Sequence, residues 1–212
     1  NNLKQSKIVL KYKELFEFMF KINYLKLSRI NDEKNIIKNI DYIKVNELIK
    51  SLPFELTSDQ LKSINDIKDD FKSNKRMNRL VIGDVGSGKT IVAFIAIYMN
   101  YLASFQSAFL APTEILAIQH YENIQKILPQ LNIKLLTSST KKSERNKIIK
   151  ELKNNEIDCI IGTHSLINDE VIFNNLGLVI TDEQHRFGVN QRKNLQNKGE
   201  LVDVLYMSAT PI

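Results

Sequence analysis

The pattern of apolar residues changes character near residue 52, from helical spacing alone to an alternation of strand-like and helical runs. Upstream of that point Leu10, Leu15, Phe16, Met19 and Phe20 recur at three- and four-residue steps with Lys and Glu between them, which predicts helix and no strand. "SRINDEKN" interrupts the pattern and "YIKVNELIK" resumes it before Pro53. Residues 1–51 therefore read as a helical arm whose aromatic stripe is a packing face. From "LTSDQLKSINDIKDDF" onward the texture differs: Thr57 or Ser58 can cap a helix that carries Leu61, Ile64, Ile67 and Phe71 on one face. Short apolar runs then alternate with helical ones. The runs "RLVIGD", "SAFLA", "IKLLT", "IDCIIGT", "LGLVITD" and "VDVLYMSAT" read as strands, while "KTIVAFIAIYMNYL", "TEILAIQHYENIQKIL" and "SERNKIIKELK" read as helices. Continuous apolar strands separated by helices predict an α/β fold with a parallel sheet covered on both faces.

Composition narrows the class of protein. With 212 residues, 43% hydrophobic and 25% charged, the chain fits one domain with an appendage. A formal charge of +6 and a pI near 9.2 lean towards an anionic partner, although a lysine-rich soluble surface produces the same balance. Cys159 is the one cysteine and sits among apolar neighbours, so it reads as a small buried hydrophobe in a reducing compartment. His120, His164 and His185 fall on three separate elements, which argues against a zinc site, and His120 is expected on the surface of its helix. No apolar stretch reaches the roughly 18 residues that span a bilayer. The start carries neither a signal-peptide pattern nor a Met, and the last residues are "MSATPI", so the chain reads as a cytoplasmic piece of something longer.

"GDVGSGKT", residues 83–90, carries the first chemistry. It matches G-x-x-x-x-G-K-[ST] between an expected strand and an expected helix, the context a phosphate loop requires. Gly83, Gly86 and Gly88 let the backbone bend so that successive N–H groups of a loop including Asp84, Val85 and Ser87 face phosphate oxygens. Lys89 supplies a point charge for the β- and γ-phosphates of ATP, and the Thr90 hydroxyl can ligate Mg²⁺. "LGLVI" then delivers Asp182 and Glu183 to the carboxyl edge of the same sheet, where ligands of such folds sit. Asp182 is placed to hold Mg²⁺ through water, and Glu183 to orient and deprotonate the attacking water. A solvated turn after a strand is the blander alternative.

Asp182-Glu183-Gln184-His185 resembles motif II of the superfamily 2 helicases, "SAT" (208–210) their motif III, "APTEILAIQH" (111–120) motif Ia and "GTHSL" (162–166) motif Ib. With "DEQHRFGVNQR" and "LPFELTSDQ" (52–60) added, residues 52–212 are similar to the RecG family of branched-DNA helicases. The resemblance implies a RecA-like P-loop lobe over 52–212, preceded over 1–51 by a helical linker from an upstream wedge domain. It implies that Gln60, Thr57 and Phe54 contact the adenine. It further implies that Gln184 and His185 link the γ-phosphate to Ser208 and Thr210, coupling hydrolysis to movement. Thr113, Glu114, Thr163 and His164 would lie along a DNA track, joined by Thr137 and Ser139 of "TSSTKK", where Ser138 replaces the glycine usual in the family. Backbone N–H groups and hydroxyls of this kind grip phosphates without reading bases. The implied partners are DNA, branched or duplex, together with a second RecA-like lobe and the wedge of the same protein, and no membrane. The motor of a transcription–repair coupling factor also carries "RFGV" but typically has Glu where Gln184 stands. A small-molecule kinase would have no use for "SAT" or "DEQH". Lys141, Lys142, Arg186 and Arg192 read as exposed or motor-facing basic residues, and Phe187 as a packed anchor beside a turn at Gly188.

Overall fold

The computed structural model describes residues 12, 13, 15–17, 19, 20, 37–183, 187, 188, 194–199 and 202–209. Its centre is one sheet of six parallel strands in the order β1-β6-β5-β2-β4-β3, flanked by helices: a RecA-like α/β fold. In chain order the elements are α1 (Tyr42–Ser51), α2 (Ser58–Lys72), β1 (Asn78–Ile82), α3 (Lys89–Leu102), β2 (Gln106–Leu110) and α4 (Glu114–Ile127). They continue with β3 (Ile133–Leu136), α5 (Lys142–Lys153), β4 (Cys159–Gly162), a 3₁₀ turn (His164–Ile167), β5 (Leu176–Asp182) and β6 (Asp203–Ser208).

Alternation along the strands builds a core on each face. Phe109 of β2, Cys159 and Ile161 of β4, and Leu178 and Ile180 of β5 pack on the side of α2, α3 and α4. Their neighbours Ala108, Leu110, Ile160 and Val179 point the other way, towards Ile148 and Leu152 of α5. Successive strand side chains face opposite sides, so a run buried on both faces must be apolar throughout. Helix α3 is the central element of the first core, buried continuously from Ile91 to Asn100. That burial explains why its sequence shows no polar stripe. Burial also holds the Cys159 thiol well above the usual thiol range.

Thr57 caps α2 through a capping box with Gln60, and Ile64, Ile67 and Phe71 turn inward. Leu61, expected on the same face, lies in the first turn of the helix and is 39% exposed. Upstream, the described residues 12–20 are helical, but Tyr12, Leu15, Phe16, Met19 and Phe20 are exposed rather than packed. Leu10 lies outside the described residues. Ile40, Val45 and Leu48 are buried in the first core, so α1 packs against the lobe. Lys38 is buried with them: its Nζ lies 2.9 Å from Asp203 Oδ2, donates to the Gly177 carbonyl at 2.8 Å, and sits 4.0 Å from the centre of the Phe71 ring.

Candidate functional site

Because every strand runs the same way, all carboxyl ends open on one edge. At the end of β1 the chain turns through residues 83–88 and enters α3. Ser87 N–H donates to the Asp84 carbonyl at 3.1 Å, closing a tight turn. Gly86 and Gly88 have φ of 82° and 79°, left-handed values that a side chain would strain. Gly88 is the N-cap of α3, and no side chain caps that helix. The first N–H groups of α3 and its positive dipole end are therefore turned on the loop, an arrangement suited to phosphate. Lys89 Nζ lies folded over the loop, donating to the carbonyls of Gly83 at 2.5 Å and Asp84 at 2.9 Å. Val85 at the tip is 90% exposed. An open cradle with an ammonium at its rim fits the triphosphate expected there.

Gln60 reaches this loop from α2. Its Oε1 accepts from Thr57 N–H at 2.9 Å, and its Nε2 donates to the Ser87 carbonyl at 3.0 Å. A Cβ on Gly88 would fall 2.3 Å from Gln60 Nε2, so the amide lies directly against the loop. Phe54 is exposed nearby in sequence, and Thr57 serves as the helix cap.

β6 separates β1 from β5, with Ile82 opposite Ser208 on one side and Asp182 opposite Met207 on the other. At about 4.8 Å per strand, the ends of β1 and β5 stand roughly 10 Å apart. Asp182 is the last residue of β5, and Glu183 follows with φ 49°, a left-handed conformation uncommon outside glycine. Gln184, His185, Arg186, Arg192 and Thr210 lie outside the described residues. Ser208 is buried at the end of β6, between the two groups. Thr90 is the second residue of α3, directly after Lys89, and is half-buried. Magnesium bound with phosphates needs only one or two protein oxygens, and Thr90 with Asp182 is a donor set of the right chemistry.

The expectation for His120 is overturned. It is 7% exposed, not a surface residue: its Nε2 lies 2.9 Å from Asp182 Oδ2, and its ring packs against Phe109 with centroids 4.7 Å apart. The signal was present in the spacing, since the buried residues of α4 are Ala117, His120 and Ile124, three and four residues apart. Reading His as polar hid it.

The other half of the edge carries the residues expected along DNA. Thr113 caps α4, accepting from Leu116 N–H at 3.3 Å. Glu114 accepts from the Thr137 hydroxyl at 2.7 Å, from Ser138 at 3.3 Å and from Ser139. These hydroxyls, Ser139 first and Thr137 next, hold the Glu114 carboxyl below the usual carboxylate range. Thr163 and His164 begin the 3₁₀ turn after β4, and the His164 ring meets the buried Phe187 edge-on at 5.2 Å. The two halves thus occupy adjacent stretches of one edge, β1-β6-β5 and β2-β4-β3.

The DEAD/DEAH box helicase family model matches residues 57–212. An ATP-dependent DNA helicase RecG of Staphylococcus epidermidis (strain ATCC 35984) is 51% identical across 100% of this chain, which covers 31% of that protein. RecG of Staphylococcus aureus (strain NCTC 8325) is 49% identical over 95% of the chain and 29% of its own length. The solved structure of RecG bound to a three-way DNA junction superposes with a TM-score of 0.83 at 48% identity, covering 95% of this chain and 27% of that one. Mycobacterium smegmatis helicase Lhr, bound to single-stranded DNA and AMP-PNP, shares the fold with a TM-score of 0.61 at 19% identity, over 79% of this chain and 24% of its own. The chain spans about a third of the length of the curated relatives it matches. It belongs to the DEAD/DEAH box helicase family and, within it, is homologous to the RecG helicases.

Proposed function

We propose that the chain is the first motor lobe of a cytoplasmic ATP-dependent DNA helicase that remodels branched DNA and stalled replication forks in recombination and repair. One observation carries the reading: the phosphate loop after β1 and the Asp182–Glu183 pair after β5 flank β6 at a single edge. ATP would enter with its phosphates on the loop and the N-terminus of α3. Lys89 would exchange the Gly83 and Asp84 carbonyls for β- and γ-phosphate oxygens, a change of acceptor within reach of one side chain. Thr90 and Asp182 would hold Mg²⁺, which when bound offsets phosphate charge. Glu183 would take the proton of the attacking water, with Gln184 and His185 linking the γ-phosphate to Ser208 and Thr210. Gln60, with Thr57 and Phe54, would border the adenine, and its bond to Ser87 would tie base recognition to the loop.

Along β2-β4-β3, Thr113, Thr137, Ser139, Thr163 and His164 would take the DNA backbone, with Glu114 holding the Thr137–Ser139 loop for it. The relative solved on a three-way junction supports branched DNA as the partner. The remaining two-thirds of such a protein would contribute a second RecA-like lobe and the wedge. A second-lobe arginine is worth about 10³ to 10⁵ in rate, so residues 1–212 alone should turn over slowly. The test compares ATP hydrolysis by this chain and by the whole protein on forked and on linear DNA. Fork-stimulated turnover only in the whole protein is expected. Full DNA-stimulated turnover by residues 1–212, or none by the whole protein, contradicts the reading.

A further inference from the structure

We infer that His120 is the positioning residue of Asp182, fixing one carboxylate oxygen so that the other is presented to the metal–nucleotide complex. The inference rests on the reading of Asp182 as the magnesium-side carboxylate. Asp182 ends β5 with its side chain only 13% exposed, and the contact runs from Oδ2 to His120 Nε2 at 2.9 Å. A carboxylate can only accept, so the imidazole Nε2–H is the donor. The donor is itself held: His120 is buried on the inner face of α4, and its ring lies against Phe109 of β2. A rigid donor from a packed helix leaves Asp182 little rotamer freedom, which matters for a side chain at the end of a strand beside a strained residue.

The connection is not local. α4 is also the helix whose cap is Thr113 and whose first residue is Glu114. His120 lies six residues beyond Glu114, about 9 Å along the axis at 1.5 Å per residue. One helix therefore borders the hydroxyl-rich half of the edge at its start and holds the metal-side carboxylate less than two turns later. Hydrogen-bond partners that orient ligating carboxylates are worth typically ten- to a hundredfold in metal affinity.

The experiment titrates a fluorescent ADP analogue into the chain with Mg²⁺ and, separately, with EDTA. The ratio of the two affinities is the magnesium-dependent gain. His120→Leu, which keeps an apolar contact with Phe109, should lower that gain about tenfold or more while leaving the EDTA affinity unchanged. His120→Gln, with an amide nitrogen in the Nε2 position, should keep most of it. In an Asp182→Ala background, His120→Leu should add no further loss. Equal losses with and without Mg²⁺, or the same loss in the Asp182→Ala background, would make His120 a packing residue and overturn the inference. If His120→Leu does not fold, His120→Gln against His120→Asn decides, because the shorter amide does not reach Asp182; equal gains overturn it. A full gain in Asp182→Ala removes the magnesium reading of Asp182 itself, whereas a lost gain there beside an intact one in His120→Leu removes the His120 inference alone.

Discussion

The backbone N–H of Gly83 donates to the carbonyl of Ser208 at 3.2 Å, so the glycine-rich loop leaves β1 already bonded to the end of β6. Ser208 opens the "SAT" segment, and the strand it ends lies between the loop and Asp182. Any shift of β6 along its axis is felt at both sides of the site through main-chain bonds. This gives the proposed coupling role of Ser208 a physical route that does not depend on its side chain.

Gln60 separates two jobs that single variants can divide. Gln60→Ala removes its bond to Thr57 N–H and its bond to the Ser87 carbonyl, and should cost about 1 kcal/mol in urea unfolding together with weaker nucleotide binding. Gln60→Glu keeps an acceptor for Thr57 but loses the donor to Ser87. Stability near that of the unaltered chain, with weakened nucleotide binding, is expected from it. Binding unchanged in both variants would dissociate Gln60 from the site.

Glu114 predicts a pH signature. Its carboxyl is held below the ordinary range by hydroxyl donors, so its contribution to stability is complete above the unfolded-state value and fades as pH falls through the lowered folded-state value. Urea midpoints of the unaltered chain and of Glu114→Gln should differ by a constant amount from neutral pH down to the ordinary carboxylate range near 4.3, and converge below it. Convergence beginning above that range would contradict the Glu114 latch on Thr137 and Ser139.

At the opposite edge of the sheet, Lys38 predicts a stability effect without a site effect. Its ammonium is buried against Asp203, the Gly177 carbonyl and the Phe71 ring, while Asp203 also accepts from Met77 N–H at 2.7 Å. Lys38→Ala leaves Asp203 charged in the interior and should cost about 3–5 kcal/mol in urea unfolding. A loss under 1 kcal/mol would mean that water reaches Asp203 once the side chain is gone.

The strands and helices were legible because a sheet buried on both faces demands unbroken apolar runs such as "LGLVI" and "SAFL", and few other arrangements produce them. The turn between β1 and α3 was legible because Gly86 and Gly88 stand where the backbone takes positive φ, and only glycine does so without strain. What the sequence hid were contacts between distant segments. Nothing local to His120 points to Asp182, 62 residues on, and a helix-borne histidine is ordinarily assigned to solvent. Lys38 was hidden for the same reason: a lysine in a polar linker gives no sign of an acidic partner 165 residues away. The exposed stripe of Tyr12, Leu15, Phe16, Met19 and Phe20 marks a third limit, since periodicity reports that a face is apolar but not what covers it.

The most direct test of the account asks whether Lys89 and Glu183 act on one nucleotide. ATP-analogue binding and ATP hydrolysis should be measured in Lys89→Ala, in Glu183→Gln and in the double variant, within the whole protein. Lys89→Ala should lose binding, Glu183→Gln should bind as before without turnover, and the double variant should match Lys89→Ala. Intact binding in Lys89→Ala, or substantial hydrolysis in Glu183→Gln, would mean that the loop and the Glu183 carboxylate do not share a triphosphate.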